Sequence, residues 1–92
     1  SILPVAIGPS VAKEGEKVEF KVFMAAYDSH NQPAVKFTEG NEGSIDISEG
    51  IAIVKVVPKS GINTYKGTVS IMNKSGEIET KNWEWKINAL PK

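Results

Sequence analysis

The chain has 92 residues, no cysteine, and 11 lysines balanced by 11 acidic residues, with no arginine. This length fits one domain with one modest core. The neutral, arginine-free balance excludes the basic footprint of a nucleic-acid binder and the bidentate donor preferred for phosphate. No lysine cluster would steer the chain to an anionic membrane surface.

Lack of cysteine rules out disulfides, thiolate zinc sites and cysteine nucleophiles, and leaves the redox compartment open. No apolar run approaches the ~20 residues that span a bilayer, and no signal-peptide pattern is present. The first residue is Ser1 rather than methionine. The expectation is therefore a mature or excised piece of something longer, with any export signal outside it.

The first apolar segments, "ILPVAI" and "SVAK", read as one edge strand broken at Gly8-Pro9. Proline donates no ladder hydrogen bond, so Pro4 and Pro9 favour an edge. "KEGEK" turns into "KVEFKVFMAAY", a strand of ~10 residues, long by ordinary standards. Alternation places Val18, Phe20, Val22 and Met24 on one face, with Glu19, Lys21 and Phe23 on the other.

After the turn "DSHNQP" come "AVKFT", the loop "EGNEG" and the short strand "SIDIS". "EG" turns into "IAIVKVV", whose Ile51, Ile53 and following valines end at Pro58. "KSGIN" leads to "TYKGTVSIMN", where Tyr65, Gly67, Val69 and Ile71 alternate with polar residues. Lys74-Ser75-Gly76-Glu77 makes a hairpin turn with glycine where positive φ is cheap, and "EIETKNWEWKINAL" returns. Ile78 and Thr80 fall on even positions but Trp83, Trp85, Ile87 and Ala89 on odd ones, so a bulge near Lys81-Asn82 is expected. About seven strands, turn signals every ~8–12 residues and no helix pattern indicate an all-β fold. The expected architecture is an antiparallel immunoglobulin-like β-sandwich without a disulfide, occupying 1–92 as one domain.

Asp28-Ser29-His30 sets the three residue types of a hydrolase triad side by side, and His30 is the only histidine. Geometry argues against catalysis. A triad needs its side chains to converge in a relay, whereas those of consecutive residues diverge. Asp, Ser, Asn and Pro are also turn-formers, so the stretch reads as a turn. No catalytic residue is assigned, and the chain is not expected to be an enzyme.

Metal binding would fall to carboxylates and point at most to calcium. Glu39, Glu42, Asp46 and Glu49 lie near loops but lack D-x-D-x-D-G spacing, so they read as solvated acids, with no metal or cofactor expected. Trp83 and Trp85 fit either a sugar-stacking platform or a core, where each aromatic can bury about 150–250 Å². The core is favoured for at least one. Phe23 and Tyr27 share the strand face opposite Val18, Phe20 and Val22, an apolar stripe that suggests a protein interface.

"GEKVEFKVFMAAYDSHNQP" resembles a strand and turn of the periplasmic region of the GldM and PorM family: a glycine-acid-lysine turn, an alternating strand, then Asp-Ser and a proline. "YKGTVSIMNKSGEIETKNWEWKINALPK" is similar to the closing hairpin of the same domain, with an aromatic-Lys-Gly, a Gly-Glu turn, a strand bearing aromatics and a proline-lysine exit. The two blocks, 15–33 and 65–92, cover about half of the chain; the middle, "FTEGNEGSIDISEGIAIVKVV", fits only loosely.

The resemblance implies an immunoglobulin-like domain of a dimeric, inner-membrane-anchored, periplasmic subunit of the gliding motility and type IX secretion machinery of Bacteroidetes. Such subunits pass torque or conformational change across the periplasm from a proton-driven motor. Implied partners are neighbouring domains, a second copy and other motor subunits. The membrane anchor would lie outside this chain. Physical reasoning adds that a stacked rod domain needs termini at opposite ends and edges a neighbour can cover. The broken strand also offers a segment for swapping into a neighbouring subunit or domain. The competing reading is an extracellular adhesin-like module binding carbohydrate or protein through Trp83, Trp85, Phe23 and Tyr27.

Overall fold

The computed structural model describes residues 3–25, 32–38 and 43–92. Eight strands are present among them: β1 (Pro4–Ile7), β2 (Val11–Lys13), β3 (Val18–Met24), β4 (Ala34–Phe37), β5 (Gly43–Ser48), β6 (Ile51–Val56), β7 (Gly61–Met72) and β8 (Ile78–Leu90). They form two four-stranded sheets, ordered β1-β3-β6-β5 and β2-β8-β7-β4. This is the A-B-E-D and C-F-G arrangement of an immunoglobulin-like sandwich, with the first strand shared between the sheets.

That sharing explains why there are eight strands rather than about seven. At Gly8-Pro9 the chain leaves the β3 edge and crosses to the β8 edge. A Cβ on Gly8 would lie 2.5 Å from the Cβ of Phe20, so only glycine lets the backbone pass this close to the core. The crossing also corrects the purely antiparallel expectation, because β2 pairs with β8 in parallel.

Alternation carries the core. In β3, Val18, Phe20, Val22 and Met24 are buried between exposed Glu19 and Lys21 and half-buried Phe23. β6 buries Ala52, Val54 and Val56, and β7 buries Tyr65, Gly67, Val69 and Ile71. At the centre, the Phe20 ring lies 5.7 Å from Tyr65, 5.8 Å from Trp83 and 6.4 Å from Trp85. Offset and edge-on pairs of this kind add attraction beyond area burial. A Cβ at Gly67 would meet the Lys36 carbonyl at 2.1 Å and the Trp83 ring at 2.3 Å, so the glycine makes room for the indole.

The turns use the residues their geometry demands. Glu49 and Gly50 both have positive φ, 52° and 78°, and join β5 to β6 as a two-residue hairpin loop of type I′ form. At the β7–β8 tip, the Gly76 amide donates to the Asn73 carbonyl at 3.0 Å, and Gly76 has φ 83°. The Asn73 side-chain oxygen accepts from the amides of Ser75 (2.9 Å) and Glu77 (3.0 Å).

The β7–β8 ladder runs without interruption from Gly61↔Ala89 to Met72↔Ile78. The expected bulge at Lys81-Asn82 is absent; Lys81 pairs directly with Val69. The register does not change: half-buried Glu79 and exposed Lys81 continue the inner row toward the tip, while Ile78 and Thr80 lie outside.

The Leu3 carbonyl bonds to the Ala25 amide beyond the Met24 end of β3. From Leu3 the chain descends through β1, Pro9 beside Trp85, and β2, reaching Leu90. The Gly15 amide then bonds to the Pro58 carbonyl, beyond the Val56 end of β6. The first described residues and Leu90 therefore lie toward opposite ends of the sheets, in a body 49 × 22 × 18 Å in extent whose β7–β8 tip projects on the Leu3 side.

Candidate interaction surface

The outer face of the β1-β3-β6-β5 sheet changes character along its length. At one end Glu19, Lys55 and Ser44 lie side by side, with Lys55 Nζ 3.9 Å from Glu19 Oε1. Both groups are solvated, so the pair contributes little to stability. One row further on, Ile7, Lys21 and Ile53 are neighbours, and then Val5, Phe23 and Ile51. Leu3 extends the patch beyond β1.

Leu3, Ile7 and Ile51 are 63%, 56% and 38% exposed, so the patch opens to solvent. Val5, Phe23 and Ile53 are half-buried by one another and by neighbouring strands. Phe23 sits at the centre of its row, between Val5 and Ile51, with backbone pairing on both sides holding it there. A contiguous exposed apolar area of this kind marks interaction sites more often than isolated apolar residues do.

Sequence reasoning found Phe23 from strand alternation but missed Val5, Ile7, Ile51 and Ile53. Their adjacency depends on strands far apart in the chain. A signal was available: "IAIVKVV" is apolar on both parities, so one of its faces had to be outward. Tyr27, the other proposed interface residue, lies outside the described residues, as do Asp28, Ser29 and His30.

Trp83 and Trp85 do not join this surface. Both point inward from β8, Trp83 buried and Trp85 half-buried. The Trp83 Nε1–H donates to the Thr68 carbonyl at 3.3 Å, and the Trp85 Nε1–H donates to the Pro9 carbonyl at 2.8 Å. The three described aromatics of the binding-module reading thus form no common platform: the two indoles face the interior of one sheet and Phe23 the exterior of the other.

The grooves among the described residues include two shallow ones. One of about 450 Å³ is lined by Thr38, Lys66, Gly67, Asn82, Trp83 and Glu84. The other, about 250 Å³, is lined by Lys17, Gly43, Ser44, Lys55, Val56 and Val57. The first holds a single carboxylate and the second none, so neither offers the paired acids or the nucleophile and base that acid–base or covalent chemistry requires. Among the described residues no cluster of three or more His, Asp or Glu could hold a metal ion. Asp46 stands on the outer face of β5 and Glu49 in the β5–β6 turn; Glu39 and Glu42 lie outside the described residues. No described helix is long and apolar enough to cross a membrane.

No curated protein matches the chain in sequence. A family model does: the GldM second domain matches residues 2–86. That span covers nearly the whole sandwich, including the loosely resembling middle. The match also specifies which of the family's domains this is. With an all-β two-sheet body, an apolar outer face and nearly full-length agreement, the chain belongs to the family of GldM second domains, components of the gliding motility and type IX secretion machinery.

Proposed function

We propose that this chain is a non-catalytic, force-transmitting domain of a GldM/PorM-like subunit, working in the periplasm while segments outside the chain anchor the subunit to the inner membrane. The observation that carries the reading is the placement of the chain's ends: Leu3 lies beyond the Met24 end of β3 and Leu90 near the Val56 end of β6, so the two sheets run between them. A domain so threaded couples whatever is attached at one end to whatever is attached at the other. Densely packed interiors are stiff and transmit strain rather than absorbing it.

The patch around Phe23 is the proposed contact to another protein surface in the assembly: a neighbouring domain, the second copy of a dimer, or another motor subunit. Tyr27 is proposed to belong to the same contact. No catalysis and no cofactor are required.

The test is replacement in the full-length parent. Exchanging residues 3–90 for a flexible Gly/Ser linker of similar reach keeps the connection but removes stiffness. The reading expects the subunit to remain in the inner membrane while secretion and gliding are lost. Retained secretion and gliding with the linker in place would show that no force needs this domain.

A further inference from the structure

β2, the second half of the broken first strand, is joined directly to the last strand, β8. A row of bonds runs along them: the Trp85 indole N–H to the Pro9 carbonyl at 2.8 Å, the Asn88 amide to the Ser10 carbonyl at 2.8 Å, and the Glu14 amide to the Leu90 carbonyl at 2.9 Å. Between the last two lie the parallel pairs Val11↔Asn88, Ala12↔Ala89 and Lys13↔Leu90. Beyond them the Lys92 amide donates to Glu14 Oε1 at 2.9 Å. The row exists because Gly8-Pro9 breaks the first strand and sends its second half to the β8 edge.

Direction gives the row its mechanical meaning. β2 and β8 run the same way, but the chain enters near Leu3 at one end of the sheets and leaves past Leu90 at the other. Pulling those ends apart drives β2 toward the entry end and β8 toward the exit end. The hydrogen bonds of a strand pair lie across the strand axes. They are therefore sheared together rather than opened in turn.

We propose that the β2–β8 ladder, extended by the Trp85–Pro9 bond, is a shear clamp that bears load applied between the ends of the domain. Load passes from β1 through Gly8–Ser10 into β2 and across to β8, bypassing β4, β5 and β6. The four β1–β3 pairs lie earlier on the same path. Their yielding lengthens the chain slightly and hands the load to β2. Unfolding of the remaining strands follows only when the clamp parts. The role of the clamp in the cell rests on the force-transmitting reading; the clamp itself is a property of this chain.

The test is single-molecule pulling of this chain in two geometries. Handles on the two chain ends load the ladder in shear. Handles on introduced cysteines, Glu16→Cys and Lys92→Cys, pull from adjacent strand ends and unzip it; the natural chain has no cysteine to interfere. The rupture force is expected to be several-fold higher in the first geometry. Trp85→Phe, which removes the Pro9 bond, and Glu14→Pro, which removes the Leu90 bond, should lower the end-to-end rupture force. Ile45→Ala, in β5, should lower the denaturant midpoint and leave that force unchanged. Should Glu14→Pro not fold, Trp85→Phe and the two geometries still decide the matter. Equal forces in the two geometries, or forces that fall with Ile45→Ala as much as with Trp85→Phe, would overturn the clamp. Failure of the force-transmitting reading would show separately, as retained secretion and gliding with the Gly/Ser linker.

Discussion

The middle stretches of the two sheets' outer faces differ in chemistry, although exposed Met72 and Ile78 at the tip and Ile62 at the other end make the β7–β8 face apolar at its ends. Along the middle of the β7–β8 ladder every outward pair is polar: Thr64 beside Lys86, Lys66 beside Glu84, Thr68 beside Asn82, and Ser70 bonded to Thr80 at 2.8 Å. On the other sheet the corresponding area holds Val5, Ile7, Phe23, Ile51 and Ile53, with Lys21 among them and Asp46 and Ser48 at the β5 edge. Cross-strand polar pairs are satisfied by each other and by water, so the first face is complete in an isolated domain. The second face leaves apolar area in water. The difference separates a solvated face from one whose chemistry suits burial against another protein.

The comparison can be tested against the interior, which sets the scale. Phe20 is 1% exposed and touches three aromatic rings. Phe20→Ala should cost about 3–5 kcal/mol in chemical denaturation, the usual range for emptying an aromatic site. If Phe20→Ala cost no more than Phe23→Ala, the two faces of β3 would not differ as described. Gly67→Ala probes the close approach beneath Trp83 and should cost about 1–3 kcal/mol by overpacking. A neutral result would mean the β4 backbone moves freely away.

Smaller effects are expected on the outer faces themselves. Phe23→Ser combined with Tyr27→Ser should leave the isolated domain cooperatively folded while weakening association in the parent protein, read by crosslinking or sedimentation. A loss of several kcal/mol in the isolated domain would instead make them core residues. On the polar face, Thr80→Ala should change stability by no more than about 0.5 kcal/mol, as surface substitutions usually do. Glu49→Asn is expected to stabilise by about 0.5 kcal/mol, because asparagine tolerates the positive φ of a type I′ loop better than glutamate does. Destabilisation there would indicate a bond from the Glu49 side chain that the loop geometry does not require.

Much of the fold was legible in local signals. Gly8-Pro9 marked the broken edge strand, Gly76 marked the tip turn, and alternation in β3 sorted Phe20 from Phe23. What could not be read depended on distance along the chain. The parallel β2–β8 pair joins residues more than seventy positions apart, and no local pattern announces it. The bulge expected in β8 rests on Ile78 and Thr80 falling on even positions and Trp83, Trp85, Ile87 and Ala89 on odd ones. In fact β8 keeps a single register, with Glu79 and Lys81 continuing the inner row toward the tip and Ile78 lying outward beside Met72. The surface patch was half legible for the same reason: Phe23 stands in one strand, but the residues that make it a patch come from two others.

The central claim is that the face around Phe23 is covered in the assembled machinery and the β7–β8 face is not. Thiol labelling tests it directly, in a cysteine-free background of the full-length parent in membranes. Ile51→Cys and Lys86→Cys place one probe on each face. Both should react quickly in the isolated domain. In the assembled protein, Ile51→Cys should be protected while Lys86→Cys reacts as before. Equal reactivity of the two probes in the assembled protein would contradict the account.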